Sequence, residues 1–137
     1  GSRNRTTFSN NAQVAGHGII DDYAVLGGFG GVHQFCRVGT HAMLAAGSIV
    51  LQDVPPYVTV SGSPATPRGT NSEGLRRRGF SGGDISAIRR AYKTLYRQGL
   101  ALEDARAAIG AAAVAVPAVR APDALLVPPG RGIIRWA

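Results

Sequence analysis

The chain has 137 residues, 15 Lys+Arg against 8 Asp+Glu, a formal net charge of +7 and 45% hydrophobic residues, which suffices for one domain and not for two ordinary ones. Its single cysteine, Cys36, excludes an intramolecular disulfide framework and a four-cysteine metal site, and no apolar run approaches the ~18–20 residues of a membrane-spanning helix. The opening Gly1-Ser2-Arg3-Asn4-Arg5 lacks the apolar core of a secretory signal, so the expectation is a soluble, cytoplasmic chain.

Residues 1–7 read as a tag remnant followed by part of a truncated coil. From Phe8 a large apolar residue returns at every sixth place: Val14, Ile20, Leu26, Val32, Val38, Leu44 and Val50. Four places after each of the first seven stands a small residue: Ala12, Gly18, Ala24, Gly30, Cys36, Ala42 and Ser48. A helix repeats every 3.6 residues and an ordinary strand every two, so neither produces this pattern. The solution is a triangular prism of short parallel strands with three six-residue sides per coil. Large aliphatics stack inward from coil to coil, and small residues fill the narrow corners. The predicted fold is therefore mainly β, a left-handed parallel β-helix of hexapeptide repeats over residues 8–62, followed by an α-helical C-terminal domain. Left-handed coils of this kind are a known exception to the right-handed crossover rule. Cys36 occupies a small-residue slot, which favours a buried structural thiol over a nucleophile. Residues 8–55 give fewer than three coils and leave apolar strand edges open at the N-terminal end. Either that end assembles with another chain or the sequence is the C-terminal piece of a longer solenoid.

Pro55-Pro56 stops the repeat. Val58–Gly62 is predicted as one more strand and residues 63–70 as a loop, with the helical domain spanning 71–137. Asn71 is placed to cap a short helix through Arg77, and Ser81-Gly82-Gly83-Asp84 to open the main helix, which extends to about Gln98 before Gly99. A further helix spans about Leu102 to Ala113, and an irregular tail with a short helical turn follows from Val114. Tyr92 and Tyr96 share the apolar face of the main helix and read as core packing in preference to base stacking. The positive charge sits mainly between Arg68 and Arg106, and Arg37 is the one cation between residues 6 and 67. Arg89, Lys93 and Arg97 lie four apart on one face. That face is either solvated surface or a docking surface for an acidic partner.

The three histidines lie in the repeat. His17 and His33, 16 residues apart, fall at nearly the same angle on adjacent coils, which an 18-residue coil requires. Such a pair suits a metal or, in preference, hydrogen bonding to an oxygen-rich substrate. No carboxylate or thiol stands at a matching offset, so no metal and no cofactor is expected. His41 has no such neighbour and reads as structural. No catalytic triad spacing and no phosphate loop of the GxxxxGK type is present.

Specific segments then carry a resemblance. Asn10-Asn11-Ala12-Gln13-Val14-Ala15-Gly16-His17, Val32-His33-Gln34-Phe35-Cys36 and Gly74-Leu75-Arg76-Arg77-Arg78-Gly79-Phe80-Ser81 closely resemble the UDP-N-acetylglucosamine O-acyltransferases of lipid A biosynthesis. The likeness runs from about Asn4 to Ile109 and returns at Arg131–Arg135. It implies a cytoplasmic homotrimer of a Gram-negative bacterium with a cleft between neighbouring prisms. The donor it implies is a 3-hydroxyacyl chain on acyl carrier protein, and the acceptor is the 3-hydroxyl of UDP-N-acetylglucosamine. By position, Gly16 matches the backbone N–H that polarises the thioester carbonyl. His17, His33 and Gln34 match contacts to the sugar nucleotide and the hydroxyacyl group. Asn71, Glu73, Arg77 and Arg78 match contacts to the nucleotide and its phosphates, and Ala46 falls where the family sets acyl length. The family's general-base histidine corresponds to a position before Gly1. The expectation is therefore a C-terminal fragment, nearly inactive alone because loss of a general base typically costs ~10²–10⁴ in rate. The related N-acyltransferase of the same pathway lacks the Gly-Leu-x-Arg-Arg-Gly-Phe segment. The remaining alternatives are a non-catalytic trimeric module that binds sugar nucleotide or acyl carrier protein, and a nucleic-acid binder. The latter lacks a stacking platform or recognition-helix pattern.

Overall fold

Eight two-residue strands wind into coils, a longer hairpin closes them, and helices follow, in a computed structural model that describes residues 7–8, 13–14, 19–119 and 133–134. The two-residue strands are β1 (Thr7–Phe8), β2 (Gln13–Val14), β3 (Ile19–Ile20), β4 (Val25–Leu26), β5 (Gly31–Val32), β6 (Arg37–Val38), β7 (Met43–Leu44) and β8 (Ile49–Val50). β1 to β5 each pair in parallel with the strand three places on, so Thr7 lies opposite Val25 and Val25 opposite Met43. The offset of 18 residues is the three-sided coil that the period of six predicts. Three parallel sheets result: β1-β4-β7 with the hairpin, β2-β5-β8, and β3-β6. Ile20, Leu26, Val32, Val38, Leu44 and Val50 are all buried along the axis, as are the small residues Ala24, Cys36, Ala42 and Ser48.

Each corner among the described residues is a turn closed by a backbone bond three residues long, such as Ala24 N–H to Asp21 O and Ala42 N–H to Gly39 O. The third residue of each turn takes positive φ: Tyr23 at 63°, Phe29 at 58°, Phe35 at 65°, His41 at 56° and Gly47 at 74°. Only glycine adopts this conformation freely, at a cost of ~1–2 kcal/mol to any other residue. Five large rings, Tyr57 at 70° being the fifth, therefore hold it only because the neighbouring coils fix the corner.

Pro55-Pro56 shortens the last coil and does not end it. Val38 still bridges Val54 in parallel, and β9 (Val58–Gly62) pairs with β7 as Met43 to Thr59, an offset of 16 residues. The predicted loop at 63–70 is corrected: β10 (Ala65–Thr70) is a strand antiparallel to β9. Its prolines argued against a strand. However, the register shifts between Pro67 and Gly69, so the missing N–H falls at an irregularity on a sheet edge, where proline is tolerated.

The helices are α1 (Ser72–Arg77), α2 (Gly82–Tyr96) and α3 (Leu102–Ala115), with a 3-10 turn at Pro117–Val119. Asn71 and Ser81 cap the first two through their side-chain oxygens, accepting from the backbone N–H of Gly74 and Asp84. α2 ends two residues before the expected Gln98, and α3 runs two beyond Ala113. Tyr92 and Tyr96 are buried together on α2, their ring centroids 5.0 Å apart, in the core that α2 and α3 share. Residues 120–132 of the predicted tail lie outside the described residues. Ile133 returns to bridge Asp53, and Ile134 N–H donates to Asp53 O at 2.8 Å. The Asp53 carboxylate accepts from Arg37 N–H at 2.8 Å, and burial raises its pKa against that bond and the Arg37 charge.

Candidate substrate-binding site

The expected site residues fall on three edges of the prism. His33 and Gln34 are exposed on the edge that follows β5, with His33 Nδ1 3.5 Å from Gln34 O. Ala46 is exposed on the edge between β7 and β8, and its backbone lies over Gly27, where a Cβ would stand 2.5 Å from Ala46 N. Gly16 and His17 lie outside the described residues.

Asn71, Glu73, Arg77 and Arg78 come together on and beside α1. Glu73 and Arg77 are one helical turn apart and 3.8 Å from each other, with 79% and 78% of their side chains exposed. Pairs so exposed contribute little to stability, which leaves the Arg77 guanidinium available to a ligand. Arg78 lies over the ring of Tyr23, its Cζ 4.6 Å from the centroid.

The third edge, to which α1 is fastened, is aromatic. Tyr23 and His41, one coil apart, stack with centroids 4.8 Å apart and planes within 13°, and His41 continues to Tyr57 at 5.9 Å. Phe80 meets His41 edge-on at 5.0 Å and Tyr57 at 5.9 Å. Asn71 joins the helix to this column: its Nδ2 donates to His41 O at 3.2 Å and its backbone N–H to Tyr57 O at 2.7 Å. The Asn71 side chain, expected as a nucleotide contact, thus uses both ends of its amide to hold α1. Tyr23, Tyr57 and Phe80 were not among the expected site residues. Their signal in the sequence is the 18-residue separation of Tyr23 and His41, one full coil.

Burial first, and the nearby Arg78 guanidinium second, push the His41 imidazole below its ordinary value of 6.5. The folded chain therefore resists a proton that the unfolded chain accepts. Stability is unaffected by this group above 6.5 and falls as pH drops below it toward the folded value. The titratable and charged groups facing His41 are Arg78, Tyr23 and Tyr57. Urea unfolding followed by circular dichroism should show a lower midpoint at about pH 5 than at about pH 7.5, and His41→Phe should flatten that difference.

A separate groove of about 470 Å³ opens between β10 and α2, lined by Arg68, Arg89, Lys93 and Arg97 with Thr70, Ser72 and Tyr92. Four cations and no carboxylate line it, so it attracts anions. Burial raises the Tyr92 phenol pKa, against the opposing pull of Arg97 and Arg68. Among the described residues no group of three His, Cys, Asp or Glu is placed to hold a metal ion. No helix among them is long and apolar enough to cross a membrane.

The family model for UDP N-acetylglucosamine O-acyltransferase, domain 2, matches residues 53–134. Over 131 residues the chain is 51% identical to an acyl-[acyl-carrier-protein]–UDP-N-acetylglucosamine O-acyltransferase of Thiobacillus denitrificans, covering 96% of this chain and 51% of that protein. A Herminiimonas arsenicoxydans protein of the same name is 50% identical over 93% of this chain and 50% of its own length. The UDP-N-acetylglucosamine acyltransferase of Francisella novicida superposes with a TM-score of 0.91 at 41% identity, over 96% of this chain and 49% of that structure. The chain thus spans about half the length of the curated relatives it matches.

Proposed function

The chain belongs to the UDP-N-acetylglucosamine O-acyltransferase family, and from that membership we propose that it carries the sugar-nucleotide-holding part of such an enzyme. The reaction is transfer of a 3-hydroxyacyl chain from acyl carrier protein to the 3-hydroxyl of UDP-N-acetylglucosamine, the first step of lipid A biosynthesis. The observation that carries the proposal is α1, which presents an exposed Arg77 and an Arg78 fixed over Tyr23 at the positions that resemble the family's phosphate contacts. Adjacent guanidinium forks match the oxygens of a diphosphate.

The coils are left-handed, and the protein is a homotrimer in the cytoplasm of a Gram-negative bacterium. Trimer packing brings an edge of one protomer against its neighbour, so that His33 and Gln34 on one edge and the α1 arginines on another serve a common cleft, to which the resemblance also assigns His17. There the 3-hydroxyl loses its proton to a general base and attacks the thioester carbonyl. The Gly16 N–H stabilises the oxyanion, and the thiolate of the carrier leaves and takes up the proton. Ala46 leaves room for a medium or long acyl chain. The domains are coils over 8–62 and the helical part after residue 71.

None of the 137 residues matches the family's general base, so the chain alone should bind UDP-N-acetylglucosamine and turn over at least ~10² more slowly than a full-length relative. A mass-spectrometric transfer assay beside a nucleotide titration tests this. Binding with full turnover contradicts the assignment of the base. Binding without turnover, even when the preceding coils of a relative are fused on, makes the chain a binding module.

The acidic partner, acyl carrier protein, fits the basic groove. Arg89→Glu with Lys93→Glu should raise the KM for the acyl donor about ten-fold at low salt and less at high salt, with the KM for the nucleotide unchanged. Steady-state kinetics of a fusion carrying the preceding coils of a relative reads this directly.

A further inference from the structure

We propose that the aromatic column Tyr23–His41–Tyr57 is a positioning device that sets Arg78 and the α1 helix for ligand binding, with Tyr23 as the contact through which it acts. The proposal rests on the reading of Arg78 as a phosphate contact.

Three observations converge on it. First, the column stacks ring on ring at corners held at positive φ, 63° at Tyr23, 56° at His41 and 70° at Tyr57. A bulky side chain is uncommon there, so the rings are retained against a conformational cost. Phe29 holds the same backbone state while remaining 72% exposed, so positive φ alone does not produce a stack. Secondly, the end of the column away from Tyr57 meets the Arg78 guanidinium, 4.6 Å over Tyr23, in the geometry of a cation–π contact. Thirdly, Asn71, the cap of α1, is tied to the backbone of the two other members, His41 O at 3.2 Å and Tyr57 O at 2.7 Å. The coil therefore grips α1 before its first turn and again after its last. Arg77 and Arg78 project from a segment whose two ends are fixed, and the cost of immobilising Arg78 is met before a ligand arrives. His41 sits in the middle, 8% exposed, where burial and then the Arg78 charge favour its neutral form.

Tyr23→Leu removes the ring and keeps much of the bulk, whereas Tyr23→Phe keeps the ring. In the 137-residue chain, the Arg78 Nε–Hε resonance should be ring-current shifted and less mobile than that of Arg76. Tyr23→Phe should preserve both properties and Tyr23→Leu should abolish them. An Arg78 signal already as mobile as Arg76, or one unchanged by Tyr23→Leu, overturns the proposal whether or not nucleotide binds. In calorimetric titration with UDP-N-acetylglucosamine, Tyr23→Leu should weaken binding about two- to five-fold, the scale of one exposed cation–π pair. It should add no further loss to Arg78→Ala. Losses that multiply in the double variant mean that Tyr23 acts elsewhere and also overturn the proposal. A parent chain that shows the Arg78 signature yet binds no nucleotide retains the positioning device and refutes the phosphate reading of Arg78.

Discussion

Replacing both Arg77 and Arg78 by alanine is expected to weaken UDP-N-acetylglucosamine binding by roughly 10²–10³-fold, since each charge-assisted hydrogen bond to a phosphate contributes about 1.5–2 kcal/mol. The two side chains are well suited to a test because neither supports the core. Arg77 is largely exposed beside Glu73, and Arg78 rests on the outside of the coil against Tyr23. Denaturant midpoints should therefore move little. Arg76, exposed on the same helix, is the control. Arg76→Ala removes the same charge from α1 without removing a matched contact and should change affinity less than about two-fold. Comparable losses in all three positions would point to the summed charge of the segment and not to defined phosphate contacts.

Gly39→Ala should be among the most damaging single substitutions in the fold. A Cβ at Gly39 would overlap the ring and nitrogen of Pro56, where the shortened last coil crosses the corner. Main chain and a fixed ring cannot swing aside as a flexible side chain can, so the loss should be about 3 kcal/mol or more. Gly69 provides the contrast: nothing lies within 4 Å of its Cβ position and its φ is ordinary. Gly69→Ala should stay within about 0.5 kcal/mol of the parent. Parallel urea titrations of the two variants read the difference. Equal midpoints would mean that the crossing at Pro56 is not tightly packed.

The coil could be read from sequence because a period of six leaves two traces at once, large residues along the axis and small ones at the corners. The buried run from Ile20 to Val50 follows that reading position by position. The caps were readable for a local reason: Asn71 and Ser81 each place an oxygen over an N–H three residues on. β10 was not, because Pro64 and Pro67 signal a break, and only pairing with β9 across a register shift makes a strand of that segment. The aromatic column was hidden for a third reason. Tyr23 and His41 are neighbours only through an 18-residue coil, and Tyr57 joins them through a 16-residue one. Asn71 illustrates the limit of matching by position. The resemblance makes it a ligand contact, whereas the fold also gives its side chain the work of fastening α1 to His41.

Sedimentation of the purified chain with and without UDP-N-acetylglucosamine tests the central claim most directly. The account predicts a trimer that binds the nucleotide, with binding lost when Arg77 and Arg78 are both replaced. A monomer that is blind to the nucleotide would contradict it.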